Sequence, residues 1–435
     1  MFNKILQIFK IRDLRNKILF VLAMLAVFRL MANIPIPGVN KQALETFFGQ
    51  FQTFRLVNLF TGGALEKVSI VMLGIGPYIT ATIILQLLTM IFPQLEKMYR
   101  EEGEAGRQKF NQYGRILTVP LAALQAYGMI RLFQRPAAPG IESVIGHLSP
   151  LLLLASISVI TAGSLFLMWL GELISEKGIG EGVSLLIFAG IIADFPSNIS
   201  KMISLVKTEH LPFYSYLLFF SMMILIIAGV VLFTEARRNI SVSYAKRVRG
   251  TKVYGGASTF LPININPAGV MPIIFALSIL TFPGMIANFL SGLGGKIGKI
   301  ALSVSNFLNP EINLLPHLIL YFFLVCVFTY FYTAVTFDPK NVSENLQKMG
   351  GFIPGIRPGT STASYLSRIL NRILLIGAIF LGLIAIMPSI VGQITKIVAF
   401  QFLIGGTGIL IIVSVVLDTL RQINAQLEMR EYETL

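Results

Sequence analysis

Arg357 stands in the run Gly350-Gly351-Phe352-Ile353-Pro354-Gly355-Ile356-Arg357-Pro358-Gly359. Proline and glycine on both sides stiffen a turn and push the guanidinium outward. A fixed, exposed guanidinium suits a carboxylate or phosphate partner. A second basic cluster, Lys246, Arg247 and Arg249, follows Ile240, Val242 and Tyr244, which alternate with polar residues. That alternation, with Gly250-Thr251 able to turn the chain, predicts a β-ribbon. Elsewhere the sequence is poor in reactive chemistry. His147, His210 and His317 are widely spaced and Cys326 is the single cysteine, so neither a metal cluster nor a disulfide framework is expected. No phosphate-binding G-x-x-x-x-G-K-S/T run and no H-E-x-x-H occurs. Gly178-Ile179-Gly180-Glu181-Gly182 is glycine-rich, but no strand pattern precedes it, and it reads as a turn. No catalytic residue and no cofactor is expected, so driving energy would come from a partner or from the membrane potential.

Composition decides what must position these groups. Of 435 residues, 54% are apolar and 13% charged, and mean hydropathy is +0.75. Soluble domains carry about 25% charged residues, so most of this chain must face lipid. Apolar stretches of about 20 residues cross a bilayer core. Ten are present, near 18–36, 70–92, 116–134, 151–171, 183–203, 213–234, 268–290, 314–337, 373–391 and 398–418. The fifth is interrupted by Asp194 and Pro196, which suits a helix buried in protein. Arg29 breaks the first, which reads as a span rather than a cleaved leader. Near the outer end of that span, Arg29 is expected to snorkel to the headgroups. With the N-terminus inside, 24 Lys and Arg fall on the inner side and 10 on the outer. That asymmetry puts both termini in the cytoplasm.

The membrane interior has few charges. Ion-coupled transport of a small solute usually needs an ionisable group at mid-depth, but Glu172, Asp194 and Asp418 lie near span ends. What interrupts the interior is glycine and proline. The second span opens Leu73-Gly74-Ile75-Gly76-Pro77 and the seventh Asn266-Pro267-Ala268-Gly269-Val270-Met271-Pro272. They hold matching positions if the chain is two halves of five spans. Such matched breaks point to the functional site of an inverted repeat; ordinary proline kinking explains the same residues equally well. Leu56–Lys67, with Thr61-Gly62-Gly63 at its middle, is apolar but too short to span. It is either an outer loop or an irregular segment held within protein beside a water cavity.

Ten motifs in order carry a resemblance. They include Ile34-Pro35-Ile36-Pro37-Gly38, Thr61-Gly62-Gly63-Ala64-Leu65, Gly76-Pro77-Tyr78-Ile79 and Thr161-Ala162-Gly163. Tyr244-Ala245-Lys246-Arg247, Val253-Tyr254-Gly255-Gly256, the Arg357 run and Gly405-Gly406-Thr407 continue the series. Over essentially its whole length the chain resembles the SecY family, the central channel subunits of the bacterial Sec protein translocase. Leu30-Met31-Ala32-Asn33 departs from the family's glycine-containing stretch, and Thr251 stands where the family often has a basic residue.

The resemblance implies an all-α polytopic membrane protein of ten helices in two pseudosymmetric inverted halves, 1–206 and 207–435, around an hourglass pore. Thr61, Gly62, Gly63, Ala64 and Leu65 would belong to a plug. Ile75, Ile79, Ile187, Ile191, Ile274 and Ile411 would form the pore ring. The second and seventh spans, helped by the third and eighth, would make a lateral gate, with Thr80, Gln86 and Thr118 holding it by interhelical hydrogen bonds. Arg357, then Lys246, Arg247 and Arg249, would dock the SecA motor ATPase or a translating ribosome. SecE and SecG would be membrane partners, secretory precursors the cargo, and the bacterial cytoplasmic membrane the location. A secondary transporter of a small solute is the alternative reading.

Overall fold

A computed structural model describes residues 11–50, 61–100, 102–134, 143–146, 148–209, 213–244, 247–249, 252–254, 258–291, 295–308, 313–395 and 406–433. In chain order the helices of the first half are α1 Arg12–Ala32, α2 Lys41–Gln50, α3 Gly76–Ile91, α4 Pro93–Arg100, α5 Gly103–Phe133, α6 Pro150–Lys177 and α7 Gly182–Glu209. Those of the second are α8 Phe213–Glu235, α9 Met271–Ser291, α10 Gly295–Leu308, α11 Leu314–Thr336, α12 Pro339–Lys348, α13 Thr360–Thr395 and α14 Gly406–Glu433. Each of the ten expected spans overlaps one helix. Among the described residues α5, α6, α11, α13 and α14 are long and apolar enough to cross a bilayer. The chain is an all-α polytopic membrane protein.

Proline sets several boundaries. Pro77 stands in the first turn of α3 and Pro150 in that of α6, where a missing N–H costs nothing. Ser149 caps α6 by accepting from Leu152 N at 3.4 Å. Phe92, extended ahead of Pro93, ends α3, and the axis turns by 115° into α4. α7 runs on through Pro196, beyond the apolar run that ends at Ala193. The second span begins later than its hydropathy suggests. Residues 61–75 form successive turns, and helix starts only at Gly76. Gly74, with φ of 58°, lies where a helical residue cannot.

The expected ribbon is present. β1 Arg237–Tyr244 pairs antiparallel with β4 Ser258–Asn264, from Arg237 opposite Asn264 to Ser243 opposite Ser258. At its tip β2 Arg247–Arg249 pairs with β3 Lys252–Tyr254. β5, Gly351–Phe352, adds a third strand to β1, with Ser243 opposite Phe352. The two long basic loops are therefore one structure. A small core under it gathers Ile240 and Val242 from the ribbon, Leu346 from α12, and Leu366, Leu370 and Leu374 from α13.

The main core is a single buried cluster drawing on α1, α3, α6, α7, α8, α9, α11, α13 and α14. Two seams join earlier to later helices. α9 packs on α3 and α5 at one seam, and α14 packs on α7 at the other. Gly180 N donates to Gln422 Oε1 at 2.8 Å beside the second seam.

Candidate functional site

The second and seventh spans, singled out by their interruptions, lie against each other. Ile75 precedes the first turn of α3, and Ile79 follows one turn later, its N–H bonded to the Ile75 carbonyl at 3.1 Å. Spacing of four puts both on one helix face, as it does for Ile187 and Ile191 on α7. Ile274 lies in the first turn of α9, and Ile411 in the second of α14. All six are buried within the one cluster, none more than 7% exposed. Four helices thus bring six isoleucines to a common apolar plug of side chains. All six side chains are packed away from water in this structure.

The segment before α3 lies on the same cluster. Thr61, Ala64 and Leu65 are buried, and Ala64 packs in the ring's cluster. Leu65 packs instead in a second core with Ile36, Phe47 and Phe133. Thr61 Oγ1 accepts from Leu65 N at 3.3 Å. Two consecutive glycines, Gly62 and Gly63, take positive φ of 66° and 77°. A Cβ on Gly62 would sit 2.7 Å from the Cα of Gly190, next to ring residue Ile191. A Cβ on Gly63 would sit 2.7 Å from a carboxylate oxygen of Asp194. Close approach and backbone conformation thus both require glycine here. Residues 56–60 lie outside the described residues.

Arg29 corrects the expectation from sequence. Its guanidinium does not turn to the headgroups; Nη1 donates to the Gly62 carbonyl at 2.5 Å. The Gly62-Gly63 turn is therefore held between α1 and α7. On its far side it is tied back by backbone hydrogen bonds, Ile36 N to Val68 O and Ile70 N to Ile34 O, both 3.0 Å. Gly163 on α6 admits this return strand: a Cβ there would meet the Ile70 carbonyl oxygen at 2.2 Å. Arg29, Asp194 and Gly163 are the residues sequence reasoning missed as part of this site. The glycine in Thr161-Ala162-Gly163 and the charges inside two spans were the available signals.

The three polar residues expected at the gate behave differently. Thr80 Oγ1 donates to Gly76 O at 2.9 Å, and Thr118 Oγ1 to Gly114 O at 2.7 Å. Both bonds lie within their own helices, so neither hydroxyl donates across the α3–α9 or α5–α9 contact as expected. The physical reason is that a threonine hydroxyl in a helix reaches the carbonyl four residues back. Gln86 Oε1 is buried with no hydrogen-bond partner. The contact between α3 and α9 is thus apolar, carried by residues such as Ile79, Ile83, Ile274 and Phe275.

Beside the ribbon Arg357 is exposed on a fixed turn. Gly355 and Gly359 adopt φ of 82° and 96°. Ile356 N bonds to Ile353 O at 3.0 Å, Thr362 Oγ1 donates to the Arg357 carbonyl at 2.9 Å, and Ser343 Oγ to the Gly359 carbonyl at 2.7 Å. Arg357 pairs with no carboxylate among the described residues. Arg247 and Arg249 lie on β2 at the ribbon tip; Lys246 lies outside the described residues. Arg115 and Glu172 join α5 to α6 at 2.8 Å.

With this geometry in hand, comparison with known proteins is decisive. The family model SecY matches residues 69–420. The chain belongs to the SecY family. A SecY-family relative, the protein translocase subunit SecY of Streptomyces coelicolor, is 43% identical over 437 residues, covering 98% of this chain and 97% of that protein. The SecY-family fold also appears in a solved structure described as a protein conducting channel, with TM-score 0.66 and 21% identity, covering 93% of this chain and 91% of that one. Sec61 from a canine ribosome-channel complex of the endoplasmic reticulum is similar with TM-score 0.62 and 20% identity, covering 93% and 91%.

Proposed function

We propose that this chain is the protein-conducting channel subunit of a bacterial translocase. It carries unfolded secretory polypeptides across the cytoplasmic membrane and releases hydrophobic segments into lipid. It works as a channel and not as an enzyme. The observation that carries this reading is the convergence of Ile75, Ile79, Ile187, Ile191, Ile274 and Ile411 in one buried cluster. A protein-conducting pore must pass every side chain yet hold back ions. A polar or charged ring would retain some sequences. An isoleucine ring binds none strongly, dewets when closed, and so blocks ions. The Thr61–Leu65 turn on the same cluster is the plug.

Residues 1–206 and 207–435 are the two halves of the clamshell. The α3–α9 seam is the lateral gate, its Thr80, Gln86 and Thr118 lying on the two helices that face α9, and the α7–α14 seam is the hinge. Apolar packing closes the gate, which suits a door that must yield to an arriving apolar segment. Each central Leu or Ile of that segment gains roughly 0.3–0.6 kcal/mol on entering lipid. Both termini are cytoplasmic. Arg357, together with Lys246 and with Arg247 and Arg249 of β2, docks SecA or a ribosome, whose RNA supplies phosphates. SecE and SecG brace the halves.

The test is a site-specific crosslink. Cys326→Ser removes the native thiol and Ile79→Cys introduces one in the ring. A secretory precursor with one mid-chain cysteine is stalled in the reconstituted, motor-driven channel and oxidised. An ATP-dependent adduct at position 79, absent for Leu154→Cys on an exposed membrane face, is expected. No adduct in a folded preparation would remove the pore assignment and leave solute uptake by a secondary transporter to be assayed.

A further inference from the structure

Between α11, α12 and α13, on the side away from the ring, lies a groove of about 1000 Å³. That is the upper end of the size of ligand clefts, about 300–1,000 Å³. Three cations line it: Lys340 from α12, and Arg368 and Arg372 one turn apart on α13. None of the three is paired with a carboxylate among the described residues. Two acids also line it. Asp338 is committed to capping α12, accepting from Lys340 N and Asn341 Nδ2 at 2.9 Å each; Glu344 lies on α12. Two like charges four apart on one helix face repel each other, and neither Arg368 nor Arg372 has a carboxylate within ion-pair distance among the described residues.

Depth identifies what does. Arg372 is the last charge before the apolar stretch that begins at Ile373. The groove's membrane end is closed by Tyr330 and Leu375. From there an exposed apolar surface continues down both packed helices, through Phe323 and Val327 on α11 and Ile379 and Leu383 on α13. A ligand matching this site is anionic at one end and long and apolar at the other. We infer that the groove binds the phosphodiester headgroup of an anionic phospholipid of the cytoplasmic leaflet, its acyl chains lying on α11 and α13. Guanidinium pairs hold phosphate oxygens by bidentate, charge-assisted hydrogen bonds, and Ser364 and Ser367 add hydroxyl donors. The bound headgroup bridges α12 to α13, the two helices that flank the Arg357 turn. The inference needs only the membrane setting and stands whether or not the ring conducts protein.

The full-length chain, purified with the subunits that accompany it, is placed in nanodiscs of phosphatidylcholine with a minor fraction of phosphatidylglycerol. Retained lipids are then counted by native mass spectrometry. Arg368→Gln with Arg372→Gln is compared with Arg107→Gln plus Lys109→Gln, exposed cations away from the groove. At roughly fivefold per headgroup-depth arginine, the groove variant binds phosphatidylglycerol about 25-fold more weakly, while the control is unchanged. Equal retention by both variants would overturn the site. Displacement of the lipid by inorganic phosphate at equal concentration would overturn the lipid as occupant in favour of a free anion. Normal retention with loss of an acidic protein partner would assign the groove to that partner and equally overturn the inference.

Discussion

The Gly62-Gly63 turn, the proposed plug, is constrained both by its backbone and by its neighbours. Gly63 combines a positive φ with a carboxylate oxygen of Asp194 where a methyl would go. Left-handed backbone costs an L-residue roughly 1–2 kcal/mol before the clash is counted. Gly63→Ala should therefore raise the population of displaced plug by roughly 5- to 30-fold. The measurement is ion conductance of the reconstituted channel in planar bilayers without precursor; an unchanged leak would show that this turn does not hold the seal. Arg357 is the opposite case, an exposed side chain on a rigid frame that touches no acidic group among the described residues. Arg357→Glu should leave thermal stability within about 0.5 kcal/mol, as surface changes do. It should nevertheless abolish motor-driven protection of a precursor from protease. Near-normal protection would remove Arg357 from the docking surface.

At the scale of elements, the β-ribbon depends on a core that it does not itself contain. Leu366 at the base of α13 is fully buried against Ile240, Val242 and Leu346. Leu366→Ala should cost about 2–5 kcal/mol of local stability. Hydrogen exchange should then accelerate in β1, β4 and β5 while α6 remains protected; uniform protection would mean the sheet stands alone. This dependence also shows what the sequence makes legible. The alternation of Ile240, Val242 and Tyr244 announces a ribbon, because strand period is local. The Gly-Pro breaks of α3 and α9 announce a special pair for the same reason. That β5 joins the ribbon, or that Arg29 reaches Gly62, depends on chain segments 33 or more residues apart meeting in space. No periodicity encodes such a meeting. Thr80 and Thr118 fail differently: their hydroxyls are visible in sequence as donors, but the nearest acceptor is their own helix.

For the whole molecule, the ring and the plug of the proposed function would be two barriers in series across one core. An ion crosses only when the plug is out and the ring is wet, so the leak follows the probability of both together. If the barriers were independent, the leak of a double variant would equal the product of the two single increases. The packing argues otherwise. Ala64 of the plug lies in the ring's own cluster, and Gly62 rests on Gly190, the neighbour of Ile191. On this reading, displacing the plug would loosen the packing beside Ile191 and so favour wetting of the ring. Ile191→Ser places a hydroxyl in that ring, weakens dewetting, and should raise the leak alone. Combined with Gly63→Ala it should fall short of the product by about twofold or more, the least expected for residues coupled through shared packing, which interact by roughly 0.5–3 kcal/mol. Bilayer conductance of the wild type, both single variants and the double variant measures this directly. A double variant that reaches the full product would show the seals to be independent, and the plug would then be a lid resting over a ring that closes without it.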